Sequence, residues 1–476
     1  MLYALFDWLE NTLKLDIPGA GVFQFLTFRA VLAAGTSLII ALFFGKRLIL
    51  LLRKKQLGET IRELGPETHK EKAGTPTMGG LVIFGSIVIP CLLWGDLTSA
   101  YVWLILLATT WMAAIGFIDD YIKVFRKNKS GLKGKFKVFG QVSLGLIVGL
   151  VMVNLPEFNG RNLRLQSDGT LEANSYLRTK GIAEGDRLVS FHGYAYPQLY
   201  ATPTFLDTLS VGSAKVWLTF EDQVTREQTR VKVDFDSTRK AIFGDGSLTT
   251  DALETDLPFI KTHRLDYTQI AFWREGGSEL AGKIFYIFLA ILIITAVSNG
   301  VNVTDGLDGL AAGTSAVAGL VFALFAYLSG NAIFSDYLNI SFIPNGGELF
   351  VYASAFVGAC IGFLWFNAYP AQVFMGDTGS LMLGSAIAVM ALMVKKELLL
   401  PIICGVFAFE ALSVILQVGW FKYTKRKHGE GRRIFRMAPL HHHYELQGWH
   451  EAKITVRLWI VSILLALLAF ATLKLR

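Results

Sequence analysis

Cysteine is nearly absent from this chain. Cys91, Cys360 and Cys404 stand singly inside apolar runs without metal-ligand spacing, so they supply no thiolate metal centre and read as small packing residues. Charge is scarce as well: 17% of the 476 residues are charged and 53% are hydrophobic, which excludes an ordinary soluble protein. The N-terminus lacks a basic leader with a small-residue cleavage site, so no cleaved signal peptide is expected. Residues 1–20 read instead as a short amphipathic helix at the membrane interface.

What the chain has is a succession of long apolar stretches. Ten spans are predicted, at about 22–45, 79–95, 100–118, 138–155, 280–301, 309–329, 349–367, 378–395, 399–421 and 454–473. The predicted fold class is therefore an all-α polytopic membrane protein with ten transmembrane helices. A first membrane part covers 1–155 and a second covers 280–476, with an inserted small α+β domain at 156–279. Residues 157–279 hold 18 acids against 14 bases. The basic excess lies elsewhere, in the loops Lys46–Lys72, Lys123–Lys137 and Lys422–Lys453. The positive-inside rule puts those three loops in the cytoplasm and the insert and both termini in the periplasm. Bases divided among membrane-flanking loops exclude nucleic acid as a partner; the lipid bilayer is the expected one.

Within the insert, the alternation in Lys215–Phe220 and Arg230–Phe235 predicts strands, joined by the polar turn EDQVTREQT. Gly181–Gly193 (GIAEGDRLVSFHG) resembles the opening of a PDZ domain. The insert contains no cysteine, so it folds without disulfides.

The polar motifs converge on one membrane face. NVTDGLDG, Asn302–Gly309, follows the apolar run Ile284–Val297. A carboxylate at mid-span costs about 2.5–3.5 kcal/mol, so Asp305 and Asp308 invite a functional reading. Asp119 and Asp120 end span three, where adjacent carboxylates suit magnesium or a shared proton; simple capping of the membrane boundary is the alternative. Lys123 follows as a partner for phosphate. MGDTGS, Met375–Ser380, opens span eight and places Asp377 where it can hold Mg²⁺ against phosphate oxygens, a role compatible with capping the helix. KAGTPTMGG, Lys72–Gly80, offers a lysine, Thr75 and glycine backbone to an anion, although its spacing is not that of a Walker loop. His441, His442 and His443 are consecutive and cannot all face one ion; one or two of them can hydrogen-bond a diphosphate or move a proton.

Taken together, KAGTPTMGG, DDYIK, NGVNVTDGLDG, FNAYPAQVFMGDTGS and PLHHHYELQGW resemble the phospho-N-acetylmuramoyl-pentapeptide transferases, the MraY translocase family, across about 1–155 and 280–476. The resemblance implies ten helices in the bacterial inner membrane and a cytoplasmic active site. It implies transfer of phospho-MurNAc-pentapeptide from UDP-MurNAc-pentapeptide to undecaprenyl phosphate, giving lipid I and UMP with Mg²⁺. By motif, Asp377 becomes the magnesium ligand and Asp119 and Asp120 the catalytic acids, with His441, His442 and His443 beside the diphosphate. Asp305, Leu307, Asp308, Asn367 and Phe374 line the nucleoside pocket. Asn302, Thr75, Lys72, Lys123, Lys127 and Lys135 complete the substrate-binding set. One-step displacement is expected, with a covalent aspartyl-phosphate route left open. The insert departs from the family's usual short connection; an envelope protein docked there and a homodimer both stay open. The alternative is a sister enzyme that transfers GlcNAc-1-phosphate from UDP-GlcNAc to a polyprenyl phosphate. A transporter would place its acids near mid-membrane rather than at one face.

Overall fold

The computed structural model describes residues 22–23, 25–54, 74–128, 130–155, 158, 187–191, 194–195, 215–222, 228–234, 253–257, 264–270, 278–338, 340–341, 343 and 346–474. The predicted N-terminal amphipathic helix, Lys72 and most of the EDQVTREQT turn lie outside those residues. Two compact units emerge. The larger comprises 1–150, 255–327 and 345–476, and the smaller 151–254 with 328–344.

Among the described residues the apolar helices are α1 (Leu26–Lys54), α2 (Gly80–Trp94), α3 (Ala100–Val124), α4 (Gly134–Asn154), α5 (Glu279–Thr304), α6 (Leu310–Ser329), α7 (Gly347–Asn367), α8 (Gly376–Met393) and α9 (Gly405–His428); after the short α10 (Leu440–Glu445) comes α11 (Glu451–Ala471). Nine of them are long and apolar enough to cross a membrane. The exception is the expected second span, which forms a helix at the predicted place but a shorter one. α2 has 15 residues, about 22 Å of helix against a hydrocarbon core of about 30 Å. Its start is committed elsewhere, because Gly79 and Gly80 donate their N–H groups to Phe374 O and Met375 O, each at 2.8 Å. Its end is set by Gly95, which leaves the helix in extended conformation. α3 runs past its predicted end at 118 to Val124 and so carries Asp119, Asp120 and Lys123 on the helix itself.

α8 organises the larger unit. Every residue from Thr378 to Met393 is buried, the signature of a helix apolar on all sides and surrounded by others. α1 packs on α7 where small residues let the backbones close: a Cβ on Gly358 would overlap the Ala34 carbonyl. At that packing's far end, remote from the basic last turn of α1, Arg29 grips Glu348 through two bonds of 3.0 and 2.6 Å. Glu348 also accepts the Asp96 N–H at 2.8 Å. Breaking one side of a buried pair costs more than removing both. Arg29→Met is therefore expected to lose about 3–5 kcal/mol, lowering the thermal midpoint in detergent, while Arg29→Met with Glu348→Leu recovers most of it.

The far end of α8 is also fastened. Lys395, at φ 56°, offers its carbonyl to the Asp256 N–H and the Thr255 hydroxyl, both at 3.3 Å. Lys396 meets Asp256 at 2.7 Å, and Tyr267 donates to Glu397 at 2.9 Å. Burial, with the Glu397 carboxylate beside it, holds the Tyr267 phenol above its ordinary range.

The smaller unit contains a four-stranded antiparallel sheet of β1 (Arg187–Phe191), β2 (Tyr194–Ala195), β3 (Lys215–Glu221) and β4 (Gln228–Asp234), ordered β2-β1-β3-β4. The two strands expected from alternation pair from Lys215↔Asp234 to Glu221↔Gln228. β5 (Glu254–Asp256) and β6 (Arg264–Asp266) form a separate pair.

Candidate active site

The last turn of α3 and the first turn of α8 meet, and Asp119, Asp120 and Asp377 each bring a carboxylate oxygen within 4.8 Å of the others. Neighbours on a helix point about 100° apart, so the adjacent pair divides its work. Asp120 turns onto the start of α8. Its Oδ1 accepts the Asp377 N–H at 3.0 Å, and its Oδ2 accepts the Thr378 N–H at 2.9 Å and hydroxyl at 2.6 Å. These first-turn amides have no partner inside their own helix, and the helix N-terminus favours the negative charge. Gly376, at φ +73°, permits the approach, since a Cβ there would lie 2.7 Å from Asp120 Oδ2.

Asp119 is fully buried. Its Oδ1 accepts the Leu132 N–H at 2.7 Å and lies 3.0 Å from Lys137 Nζ. Its Oδ2 lies 2.6 Å from Lys123 Nζ. Asp377 completes the cluster. Lys137 pairs with it directly, Lys123 stands 3.4 Å away, and Asn302 donates to its Oδ1 at 3.1 Å and to Ser380 at 2.8 Å. Two carboxylates, Asp119 and Asp377, thus share two ammonium groups, with Asp120 behind them at the start of α8. An all-oxygen donor set of this kind suits a hard divalent cation, and mobile lysines suit phosphate.

Lys137 was not among the residues chosen from sequence; Lys135 was. Two residues along a helix turn the side chain by about 200°, so the two lysines face opposite ways. Lys135 is exposed, with its ammonium 5.2 Å from the Phe136 ring centre, and Lys127 is exposed too. The signal was the phase of the helix: Lys137 shares a face with the buried Gln141, Leu144 and Val148, at spacings of four, three and four.

The segment after α5 forms a turn built from beneath. Asp305 caps α5 and is half-buried. Leu307 lies in an apolar cluster with Leu310 and Ile454. Asp308 is buried, accepts the Ala371 N–H at 2.9 Å and donates its own N–H to Glu451 at 2.7 Å. Asn367 accepts from Gly309 at 3.1 Å and donates to Val373 O at 2.9 Å. Asp308 and Asn367 therefore staple this turn to the 368–373 loop. Phe374 is half-buried and its N–H pairs with Pro76 O at 2.8 Å, joining the loop that carries the half-buried Thr75 to the start of α8.

The three histidines separate. His441 is fully buried, its Nδ1 3.1 Å from Glu410 of α9, a residue that sequence reasoning passed over. His442 Nδ1 lies 2.6 Å from Glu445. His443 accepts the Arg436 N–H at 3.1 Å and meets Gln447 at 2.8 Å, holding the loop.

Residues 256–395 match the family described as glycosyl transferase family 4, and residues 72–84 match signature 1 of the phospho-N-acetylmuramoyl-pentapeptide-transferases. Similar proteins named phospho-N-acetylmuramoyl-pentapeptide-transferase occur in Flavobacterium psychrophilum (47% identical), Flavobacterium johnsoniae (46%) and Chloroherpeton thalassium (45%), each aligned over 100% of both chains. The long segment between α4 and α5 is therefore shared with these relatives rather than peculiar to this chain.

Proposed function

The chain belongs to the phospho-N-acetylmuramoyl-pentapeptide-transferase (MraY) family, and from that membership we propose how its residues perform the transfer. The substrates are UDP-MurNAc-pentapeptide and undecaprenyl phosphate, and the products are lipid I and UMP. The observation that carries the reading is the meeting of Asp119 and Asp377 with Lys123 and Lys137 at the start of the most enclosed helix, beside the Asn302–Gly309 turn.

The residues fit Mg²⁺. Their facing atoms are carboxylate oxygens, the donor type a hard divalent cation takes, and lysine ammonium groups already lie among the acids where cationic charge is held. Asp377 would hold the ion with Asp119 facing it, whereas Asp120 is engaged in positioning Asp377. Magnesium, when bound, neutralises phosphate oxygens and so favours attack at phosphorus. An oxygen of the lipid phosphate forms the new bond to the sugar-linked phosphorus as that atom's bond to the UMP oxygen breaks. Asp119 orients the attacking phosphate. Lys123 and Lys137 leave their carboxylates to stabilise the phosphates and the departing UMP. Asn302 keeps Asp377 in register. Asp305 and Phe374 read the nucleoside from the rim, with Leu307, Asp308 and Asn367 supporting them from below. Thr75, Lys127 and Lys135 form an outer basic and polar fringe that draws in anionic substrate. His442 lies on the diphosphate side, and His441 acts from beneath the turn.

The protein is a multi-pass protein of the bacterial membrane. Ten crossings, with α2 as the short second one, put the basic loops and this site in the cytoplasm and the sheet-bearing insert and both termini in the periplasm. There the PDZ-like insert offers a strand edge to an extended segment of an envelope protein. A homodimer is the assembly we propose.

The test is direct. Purified protein with Mg²⁺ and undecaprenyl phosphate should form lipid-linked product and UMP from UDP-MurNAc-pentapeptide and none from UDP-GlcNAc. Turnover of UDP-GlcNAc alone would reassign the chain to the sister activity.

A further inference from the structure

Among the described residues, the His441 ring is hydrogen-bonded from one side only. Glu410 Oε2 lies 3.1 Å from Nδ1 and also receives the His441 backbone N–H at 3.3 Å. Both residues are almost wholly buried, and an ionisable residue inside an apolar helix is functional by default. An oxygen accepting one N–H from the backbone accepts the other from the ring, so Nδ1 carries hydrogen and Nε2 is the nitrogen left over. Nε2 is buried and has no hydrogen-bond partner among the described residues. It points at Gly306, where a Cβ would overlap it. The His442 ring closes another side, edge-to-face at 4.2 Å.

We propose that Glu410 is a positioning residue for the nucleotide donor. Its carboxylate fixes the His441 ring, the ring forms the floor on which Gly306 rests, and that floor sets the height of the half-buried Asp305. The inference rests on Asp305 being a donor-binding residue, as argued above. His441 contributes position, not a proton, and Glu410 does so through it.

Two variants approach the floor from opposite sides. Glu410→Leu removes the acceptor of the ring N–H and should weaken binding of UDP-MurNAc-pentapeptide about tenfold, measured by calorimetry without acceptor lipid, while kcat and the KM for undecaprenyl phosphate stay within about twofold. Glu410→Gln keeps an oxygen for that N–H and should stay within about threefold of the parent. Gly306→Ala intrudes on Nε2 with Glu410 intact, and should weaken donor binding without altering the KM for the lipid. The proposal is overturned if Glu410→Leu lowers kcat at unchanged donor affinity, if both KM values rise together, if Glu410→Gln matches Glu410→Leu, or if Gly306→Ala binds donor normally. Each protein must elute monodisperse in detergent; should Glu410→Leu fail there, Glu410→Gln and Gly306→Ala still decide the matter. Parent protein that binds no nucleotide donor would sink the reading of the site itself, a result distinct from all of these.

Discussion

Asp377→Asn should lower formation of lipid-linked product by about a thousandfold or more, with added Mg²⁺ unable to restore it. The substitution keeps the shape of the side chain and removes the charge. Lys123 and Lys137 then keep only Asp119 as a nearby counter-charge they touch directly, and the facing pair of acid oxygens that could hold a divalent ion is broken. The fold should survive, because Asp120 caps α8 through the backbone N–H groups of residues 377 and 378, which asparagine leaves in place. The thermal midpoint should therefore move little while turnover disappears. Near-normal turnover would remove Asp377 from the metal site.

The second large effect concerns Lys137. Lys137→Met should reduce kcat about a hundredfold, since a cation placed at phosphates whose charge is redistributed in transfer is lost. The same change removes an ammonium that contacts both Asp119 and Asp377. Half-saturation by Mg²⁺ should therefore fall to lower concentration even as the maximal rate drops. That opposed movement separates a cation sharing the acids from one that merely supports folding. Lys135→Ala, on the far face of the helix, should change kcat by no more than about twofold. Equal losses at both positions would refute the assignment by helix phase.

Much of this arrangement was legible in the sequence, for identifiable reasons. Apolar length marked nine of the helices because the bilayer core sets a minimum that few soluble helices approach. Alternation marked β3 and β4 because side chains in a strand fall on opposite faces in turn. Asp119, Asp120 and Asp377 stood out because carboxylates beside apolar runs are expensive. What escaped depended on direction, which residue type alone does not carry. Lys135 and Lys137 look equivalent in a basic loop and differ only in rotation about α4. Asp308, Asn367 and Leu307 sit in the recognised motifs, yet their side chains turn inward to backbone amides and apolar neighbours. The three consecutive histidines take three separate partners, and Glu410, whose carboxylate governs one of them, lies 31 positions away in a helix that reads as unremarkable span. The shortness of α2 also depended on a distant event, the pairing of Gly79 and Gly80 with residues 374–375.

The backbone contacts around Asp377 bear on how this site can change over generations. A Cβ on Gly80 would overlap Gly379 N, and one on Gly116 would overlap Asp377 O. Neither obstacle is a flexible side chain that could swing aside. Any side chain introduced at either glycine therefore moves the helix that carries the acid. Gly134, by contrast, has nothing within 4 Å of such a Cβ and is free to vary. Gly80 and Gly116 are both buried in the contact, so the room for change around this site lies at its fringe, near Gly134, and not beneath the acid.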